Sequence, residues 1–142
     1  MKILAVGDIV GENGLKKLRE ELQKVNLTEG KPKILDFLAI NPGCSQREVA
    51  SKCHIEPATA TSILSSMEAE GLIYRDRNPK DKRILNVFLT EKGIEAQKCV
   101  EKIFLGIDEI SFKGFTEEEK IQAINYFNRI NENLTEGEKE ID

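Results

Sequence analysis

Residues 45–90 read SQREVASKCHIEPATATSILSSMEAEGLIYRDRNPKDKRILNVFLT. Ser45 is placed to cap a helix N-terminus, and Glu48, three residues on, to reach back to the Ser45 N–H, as in a capping box. Val49, Ala50 and Cys53 follow at helical spacing. His54-Ile55-Glu56 leaves room only for a turn. Pro57 suits the first position of a second helix, where a missing N–H costs nothing. That helix is predicted from Pro57 to about Glu70, with Ala60, Ile63, Leu64 and Met67 inward and Gly71 as its C-terminal cap.

The opposite face of the second helix carries Thr59, Thr61, Ser62, Ser65 and Ser66, all short and uncharged. A helix entering the major groove presents such short donors and acceptors to base edges. After Gly71 the period changes, and Leu72-Ile73-Tyr74 and Ile84 to Leu89 read as strands. The intervening run, Arg75 to Arg83, holds five basic and two acidic residues, with a turn at Asn78-Pro79. A basic hairpin beside a polar helix suits contact with phosphates and the minor groove. The outline is a winged helix-turn-helix.

The run resembles the DNA-binding region of the MarR family of transcriptional regulators. The resemblance rests on Gly43-Cys44-Ser45-Gln46, on Pro57-Ala58-Thr59-Ala60-Thr61, and on Met67-Glu68-Ala69-Glu70-Gly71-Leu72-Ile73. Asp81-Lys82-Arg83 and Leu89-Thr90-Glu91-Lys92-Gly93 complete it. Their order and spacing extend the match over residues 15–134. It implies a mainly α fold with a small β-hairpin wing, flanked by N- and C-terminal dimerisation helices. It further implies a homodimeric regulator, most often a repressor, on a pseudo-palindromic site in double-stranded DNA. A small aromatic or phenolic effector between dimer core and winged domain is a further implication. By resemblance, Asp81 braces the wing and Arg83 enters the minor groove.

One departure bears on readout. Family members often carry Arg where this chain has Ser62, and another near Ser66, yet no Lys or Arg occurs from Cys53 to Tyr74. Arginine readout of guanine is not available from this helix. The expected DNA-binding set is Gln46 and Arg47 before it, Thr59, Thr61, Ser62 and Ser65 on it, and Arg75, Arg77, Lys80, Lys82 and Arg83 on the wing.

At 142 residues the chain suits one domain with a real core. Its 39% hydrophobic and 32% charged residues fit a soluble helical protein. No apolar run approaches the ~20 residues of a membrane span, and Met1 to Val6 is too short for a signal-peptide core, so the expected location is cytoplasmic. The net charge of −4 is unevenly spread: residues 91–142 hold 7 basic and 13 acidic residues, while the positive charge gathers on the wing. Local field, not the total, matters to a polyanion. Three cysteines and one histidine match no zinc spacing and no disulfide framework, so no metal, cofactor or catalytic centre is expected. Cys53 and Cys99 read as buried apolar residues. Cys44, just before a helix N-terminus where a thiolate is favoured, is the candidate redox thiol. His54 reads as a solvent-facing turn residue.

The chain divides by pattern into residues 1–26, 27–90 and 91–142. Residues 1–11, MKILAVGDIVG, resemble the opening strand and loop of a calcineurin-like metallophosphoesterase, which would make Asp8 a metal ligand. That site needs further Asp, Asn and His ligands that no later motif supplies. Glu12 or Asn13 is the expected cap of a helix to about Asn26, striped by Leu15, Leu18, Leu22 and Val25. Thr28 is the expected cap of the next helix, with Ile34, Leu35, Phe37 and Leu38 inward and a stop at Asn41-Pro42-Gly43. Thr90 caps a long helix to about Ile110, with Ile94, Val100, Ile103, Phe104 and Ile107 inward. A second capping box, Thr116 to Glu119, opens a helix to about Asn133, with Ile121, Ile124, Phe127 and Ile130 inward and a frayed acidic tail after Glu136. So much apolar helix surface at both ends points to a dimer made by the termini. Two other functions compete: a winged helix that binds protein, and a metallophosphoesterase fragment.

Overall fold

The computed structural model describes residues 11–27 and 30–141. Asp8, with the rest of the first ten residues, and Thr28 lie outside the described residues. The elements are helices α1 (Gly11–Lys24), α2 (Lys31–Ile40), α3 (Gln46–Lys52) and α4 (Pro57–Ala69), strands β1 (Ile73–Arg77) and β2 (Leu85–Leu89), and helices α5 (Glu91–Ser111) and α6 (Glu117–Ile141). Among the described residues they form two compact units, one within residues 22–102 and one made of residues 11–21 with 103–141.

The first unit is the winged helix-turn-helix. Its core is apolar: Ile34, Leu35 and Leu38 from α2, Val49 from α3, Ala60, Leu64 and Met67 from α4, and Ile73 and Val87 from the hairpin are almost completely buried. Ile63 and Phe37 are only half-buried. The α3 capping box forms as expected, with the Glu48 N–H donating to Ser45 Oγ (3.1 Å) and the Ser45 N–H to Glu48 Oε2 (2.7 Å). Hydrogen bonding from the Ser45 N–H, with the Ser45 side chain adding to it, holds the Glu48 carboxyl below its usual range, because it favours the charged form.

Three helices end in the same way, with a residue of positive φ followed by a 6→1 hydrogen bond. After α1, Asn26 has φ 56 and the Leu27 N–H donates to the Leu22 carbonyl (3.0 Å). After α3, His54 has φ 54 and the Ile55 N–H donates to the Ala50 carbonyl (2.9 Å). After α4, Gly71 has φ 78 and the Leu72 N–H donates to the Met67 carbonyl (2.9 Å). His54 is therefore the solvent-exposed turn residue expected, and its role is backbone geometry.

The hairpin pairs Ile73 with Leu89 through Arg77 with Leu85, antiparallel. Strand β1 continues past the expected end at Tyr74 to Arg77, so that Arg75 lies within the ladder and the connecting loop shortens. Tyr74 and Phe88, directly opposite, stack at 5.1 Å. The outer side of β2 is also paired: the Gly43 N–H donates to the Val87 carbonyl (2.9 Å), the Val87 N–H to the Cys44 carbonyl (2.8 Å), and Ser45 bridges Asn86. The segment leading into α3 thus covers the edge of the wing, which a two-stranded expectation did not include.

Several expected details are corrected. Helix α2 is capped by Gly30, at φ 82 and with no side-chain hydrogen bond, because Pro32 fits only a first turn and fixes the start at Lys31. Glu12 lies inside the first turn of α1 rather than before it. Ile94 and Cys99 are exposed, since both lie off the face of α5 that carries Val100. Thr90 caps α5 as expected, accepting from the Gly93 N–H (3.0 Å), and its own hydroxyl donates to the Gly71 carbonyl (2.5 Å).

In the second unit, the end of α5 buries Phe104 and Ile107, and Gly114 turns the chain at φ 87. The α6 capping box forms, with the Glu119 N–H on Thr116 Oγ1 (3.1 Å) and the Thr116 N–H on Glu119 Oε1 (3.0 Å). Helix α6 runs to Ile141, beyond the expected end at Asn133, because the Glu-rich segment 131–141 contains no proline and one tolerable glycine. Of the face expected inward, Ile124 and Phe127 are half-buried, while Ile121 and Ile130 are more than half exposed in the single chain, as is Leu134 one turn on. Asp108, which the sequence did not single out, is buried and accepts from Lys120 Nζ at 2.5 Å. Lys120 also sits 5.2 Å from the Phe112 ring centre.

Candidate nucleic-acid interface

Helices α3 and α4 and the wing meet within residues 22–102, so their relative geometry is set by one core. On α4, Thr59, Thr61, Ser62, Ser65 and Ser66 are all exposed, on the face opposite Ala60, Leu64 and Met67. No basic side chain belongs to this face, as expected. Three of the hydroxyls are engaged: Thr61 donates to the Pro57 carbonyl (2.9 Å), Ser66 donates to Glu70 Oε1 (3.2 Å), and Ser65 Oγ accepts from Arg75 Nη2 (3.4 Å).

Arg47 is exposed on α3, whereas Gln46 is half-buried and turned toward α4, its Nε2 donating to Thr61 Oγ1 at 2.9 Å. A concavity of about 440 Å³ lies between α3, the start of α4 and the tip end of the wing; Gln46, Arg47, Thr61 and Arg83 line it. Four of the expected side chains therefore converge on one concave surface.

The wing tip is organised by two short acceptors. Asn78 Oδ1 takes the Lys80 N–H (2.8 Å) and the Asp81 N–H (3.3 Å), the local turn geometry that makes Asn frequent in such loops. Asp81 takes the Arg83 N–H (3.1 Å) and grips its guanidinium through both carboxylate oxygens, Nε to Oδ1 and Nη2 to Oδ2 at 3.0 Å each. The guanidinium bonds hold the Asp81 carboxyl below its ordinary value. Asp81 thus braces the tip, and Arg83, with 90% of its side chain exposed, is presented to solvent. Arg77, Lys80 and Lys82 are exposed beside it.

Arg75 differs from the other wing cations. Its side chain is only 17% exposed and turns inward, onto Glu68, Gln46 and Ser65. The sequence marked Asn78 only as a turn residue and Glu68 only as part of a longer motif, without the partners each one holds. The signal for Glu68 was its place one turn after Ser65 on the α4 face that β1 passes.

The surroundings of Cys44 count against a redox role. Burial, then the nearby Glu48 carboxylate, pushes its thiol up to about 11, so the thiolate is disfavoured despite the helix that follows. Among the described residues no cluster of three His, Cys, Asp or Glu could hold a metal, and no helix is long and apolar enough to cross a membrane. A second cleft, about 710 Å³, is lined by Leu27, Lys31, Glu70, Leu72, Lys92 and Cys99 among others.

The pattern that defines the MarR family matches residues 27–85. The HTH-type transcriptional regulator BilQ of Clostridium symbiosum is 30% identical over 112 residues, 79% of this chain and 78% of that protein. The HTH-type transcriptional repressor IacR of Pseudomonas putida is 28% identical over 104 residues, covering 73% and 62%. Among solved structures, a MarR transcriptional regulator from Methanosarcina mazei superposes with a TM-score of 0.78 at 24% identity, over 92% of this chain and 94% of that one. Staphylococcus aureus MepR bound to DNA gives 0.72 at 24%, over 89% and 92%. A winged helix-turn-helix with a D-x-R wing, matched in sequence and in fold along most of its length, places this chain in the MarR family.

Proposed function

We propose that the chain is a homodimeric, sequence-specific DNA-binding transcriptional regulator that acts as a repressor, with α4 in the major groove and the wing at the minor groove. The observation that carries the reading is the concave surface where Gln46, Arg47, Thr61 and Arg83 converge beside an uncharged, hydroxyl-bearing helix face. Thr59, Thr61, Ser62 and Ser65 are the candidates for base edges. Arg47, Arg77, Lys80, Lys82 and Arg83 are the candidates for phosphates and the minor groove. Residues 27–90 form the reading domain. Residues 1–26 and 91–142 form the dimerising arms, whose open apolar side chains on α5 and α6 need a second copy to cover them. A two-fold dimer meets a pseudo-palindrome with half-sites about one helical turn apart. The 710 Å³ cleft is the candidate effector site, and the cytoplasm is the working compartment. The protein is a binder rather than an enzyme.

Selection of bound duplexes from a random pool, followed by titration at several salt concentrations, tests this. The expected winner is a pseudo-palindrome with a steep salt dependence. Arg83→Ala should weaken binding to every sequence and flatten the log–log salt slope by about one. Failure to enrich any duplex would favour a second reading, a winged helix that docks protein, which the absence of a basic side chain on α4 recommends.

A further inference from the structure

Arg75 has the composition of a phosphate contact and the surroundings of an internal brace. Its Nε and Nη2 both donate to Glu68 Oε2, at 3.0 and 2.6 Å; Nη2 also reaches Ser65 Oγ at 3.4 Å, and Nη1 donates to Gln46 Oε1 at 3.1 Å. Gln46 returns through its Nε2 to Thr61 Oγ1 at 2.9 Å. The bonds form a closed ring: Glu68 and Ser65 on α4, Arg75 on β1, Gln46 on α3, and Thr61 back on α4. A guanidinium has five N–H donors, and four are engaged. Its charge is already matched by the Glu68 carboxylate. Arg83, by contrast, is 90% exposed and, among the described residues, pairs with Asp81 in its own turn.

We propose that Arg75 is a positioning residue for base readout. It fixes α4 against α3 and the wing, and sets the side chains of Gln46, Thr61 and Ser65, rather than neutralising a phosphate. This rests on the functional reading above. It explains how a helix face without a long side chain can discriminate sequence. Short hydroxyls reach base edges only if the helix axis is held to a fraction of an ångström, and the ring supplies that constraint from two other elements. Lysine cannot replace arginine here, because an ammonium keeps the charge but cannot span three acceptors in the fork geometry.

The test measures affinity for the selected duplex and for a scrambled duplex across salt concentrations, for the full-length protein and for Arg75→Lys, Arg75→Gln and Glu68→Gln. Positioning predicts that all three lose about tenfold or more in the ratio of specific to scrambled affinity, the scale of a misread base contact. It also predicts a salt slope for the Arg75 variants within a few tenths of the starting protein. Binding to scrambled duplex, retained in each variant, reports that the fold is intact. A phosphate contact predicts otherwise: Arg75→Lys keeps the ratio, Arg75→Gln flattens the slope by about one, and Glu68→Gln, by freeing Arg75, tightens binding to every sequence. That pattern, or an unchanged ratio in all three, overturns the proposal. If Arg75→Gln does not fold, Arg75→Lys and Glu68→Gln decide it alone. If the unsubstituted protein prefers no duplex, the functional reading falls, and this proposal with it; if it discriminates and the variants discriminate equally, only this proposal falls.

Discussion

Replacing Gly93 with alanine sets two physical effects against each other. Gly93 lies in the first turn of α5, where alanine is favoured over glycine by about 1 kcal/mol on helix propensity alone. A Cβ at that position, however, would stand 2.0 Å from the Leu72 carbonyl oxygen, 3.0 Å from its carbon and 3.2 Å from Leu89 Cδ2. The first neighbour is backbone and cannot swing away. Reaching even a close C–H···O separation of about 3.3 Å requires α5 and the strand entry to part by more than about 1 Å. The Leu72 carbonyl also accepts the Thr90 N–H at 3.0 Å, and the Thr90 hydroxyl is the α5 cap, so the displacement disrupts both. Overpacking costs about 1–3 kcal/mol and a lost hydrogen bond about 1 kcal/mol. After the propensity gain, a net loss of about 2 kcal/mol remains, or roughly 4–8 °C in Tm for a chain of this size. Gly106→Ala, on the same helix, meets nothing within 4 Å and should be neutral or stabilising. Thermal unfolding followed by circular dichroism at fixed protein concentration reads both. A Gly93→Ala variant as stable as the starting protein would refute the close approach of α5 to the wing.

Asp36, half-buried on α2, has its carboxyl raised by burial first, opposed by the hydrogen bond from Gln97 Nε2 (3.3 Å) and reinforced by Glu101. The folded state therefore holds its proton to higher pH than the unfolded chain, and ionisation of Asp36 opposes folding. Asp36→Asn keeps the acceptor for Gln97 and should raise Tm at pH 7, with the gain vanishing once pH falls below the ordinary aspartate range; a gain independent of pH would sink the assignment. At Cys44, a thiol near 11 is ionised to about one part in a thousand at pH 8. Iodoacetamide should alkylate Cys99, which is exposed, long before Cys44, and buried Cys53 only after unfolding; peptide mapping that finds Cys44 modified first would restore it as a redox candidate.

Local signals in the sequence translated directly into structure. Both capping boxes, the proline at the start of α4 and the glycine after it depend on residues within one turn of each other, and all formed where expected. What lay beyond one turn was not legible. Nothing in Gly43-Cys44-Ser45 announces a third partner for the wing, because that pairing depends on where β2 lies in space. Thr28 offers better cap chemistry than Gly30, but Pro32 overrules it by permitting only a late start. Arg75 read as one cation among five, since a charge run carries no sign of which member turns inward. The open faces of α5 and α6 read as core because periodicity reports that a face will be buried, not by which copy of the chain.

The least favourable feature of α4 as a DNA reader is its acidic end. Glu68 and Glu70 sit at its C-terminal turn, where the helix dipole is itself negative, with no basic residue on the helix to offset them. The structure answers each carboxylate from another element. Arg75 of β1 holds Glu68 at 2.6 Å, and Lys31, the first residue of α2, holds Glu70 at 2.8 Å. The Lys31 bond, with Ser66 adding to it, keeps the Glu70 carboxyl below its usual range, while Lys92 Nζ donates to the Glu70 carbonyl (2.7 Å) and so satisfies the helix end. The three cations come from α2, β1 and α5, and each bond that neutralises the end of α4 also fixes its orientation. Neutralising that end and aiming the helix are therefore one structural solution. It follows that the Lys31–Glu70 pair, which lines the 710 Å³ cleft, joins the cleft wall to the C-terminal end of α4 through one ion pair.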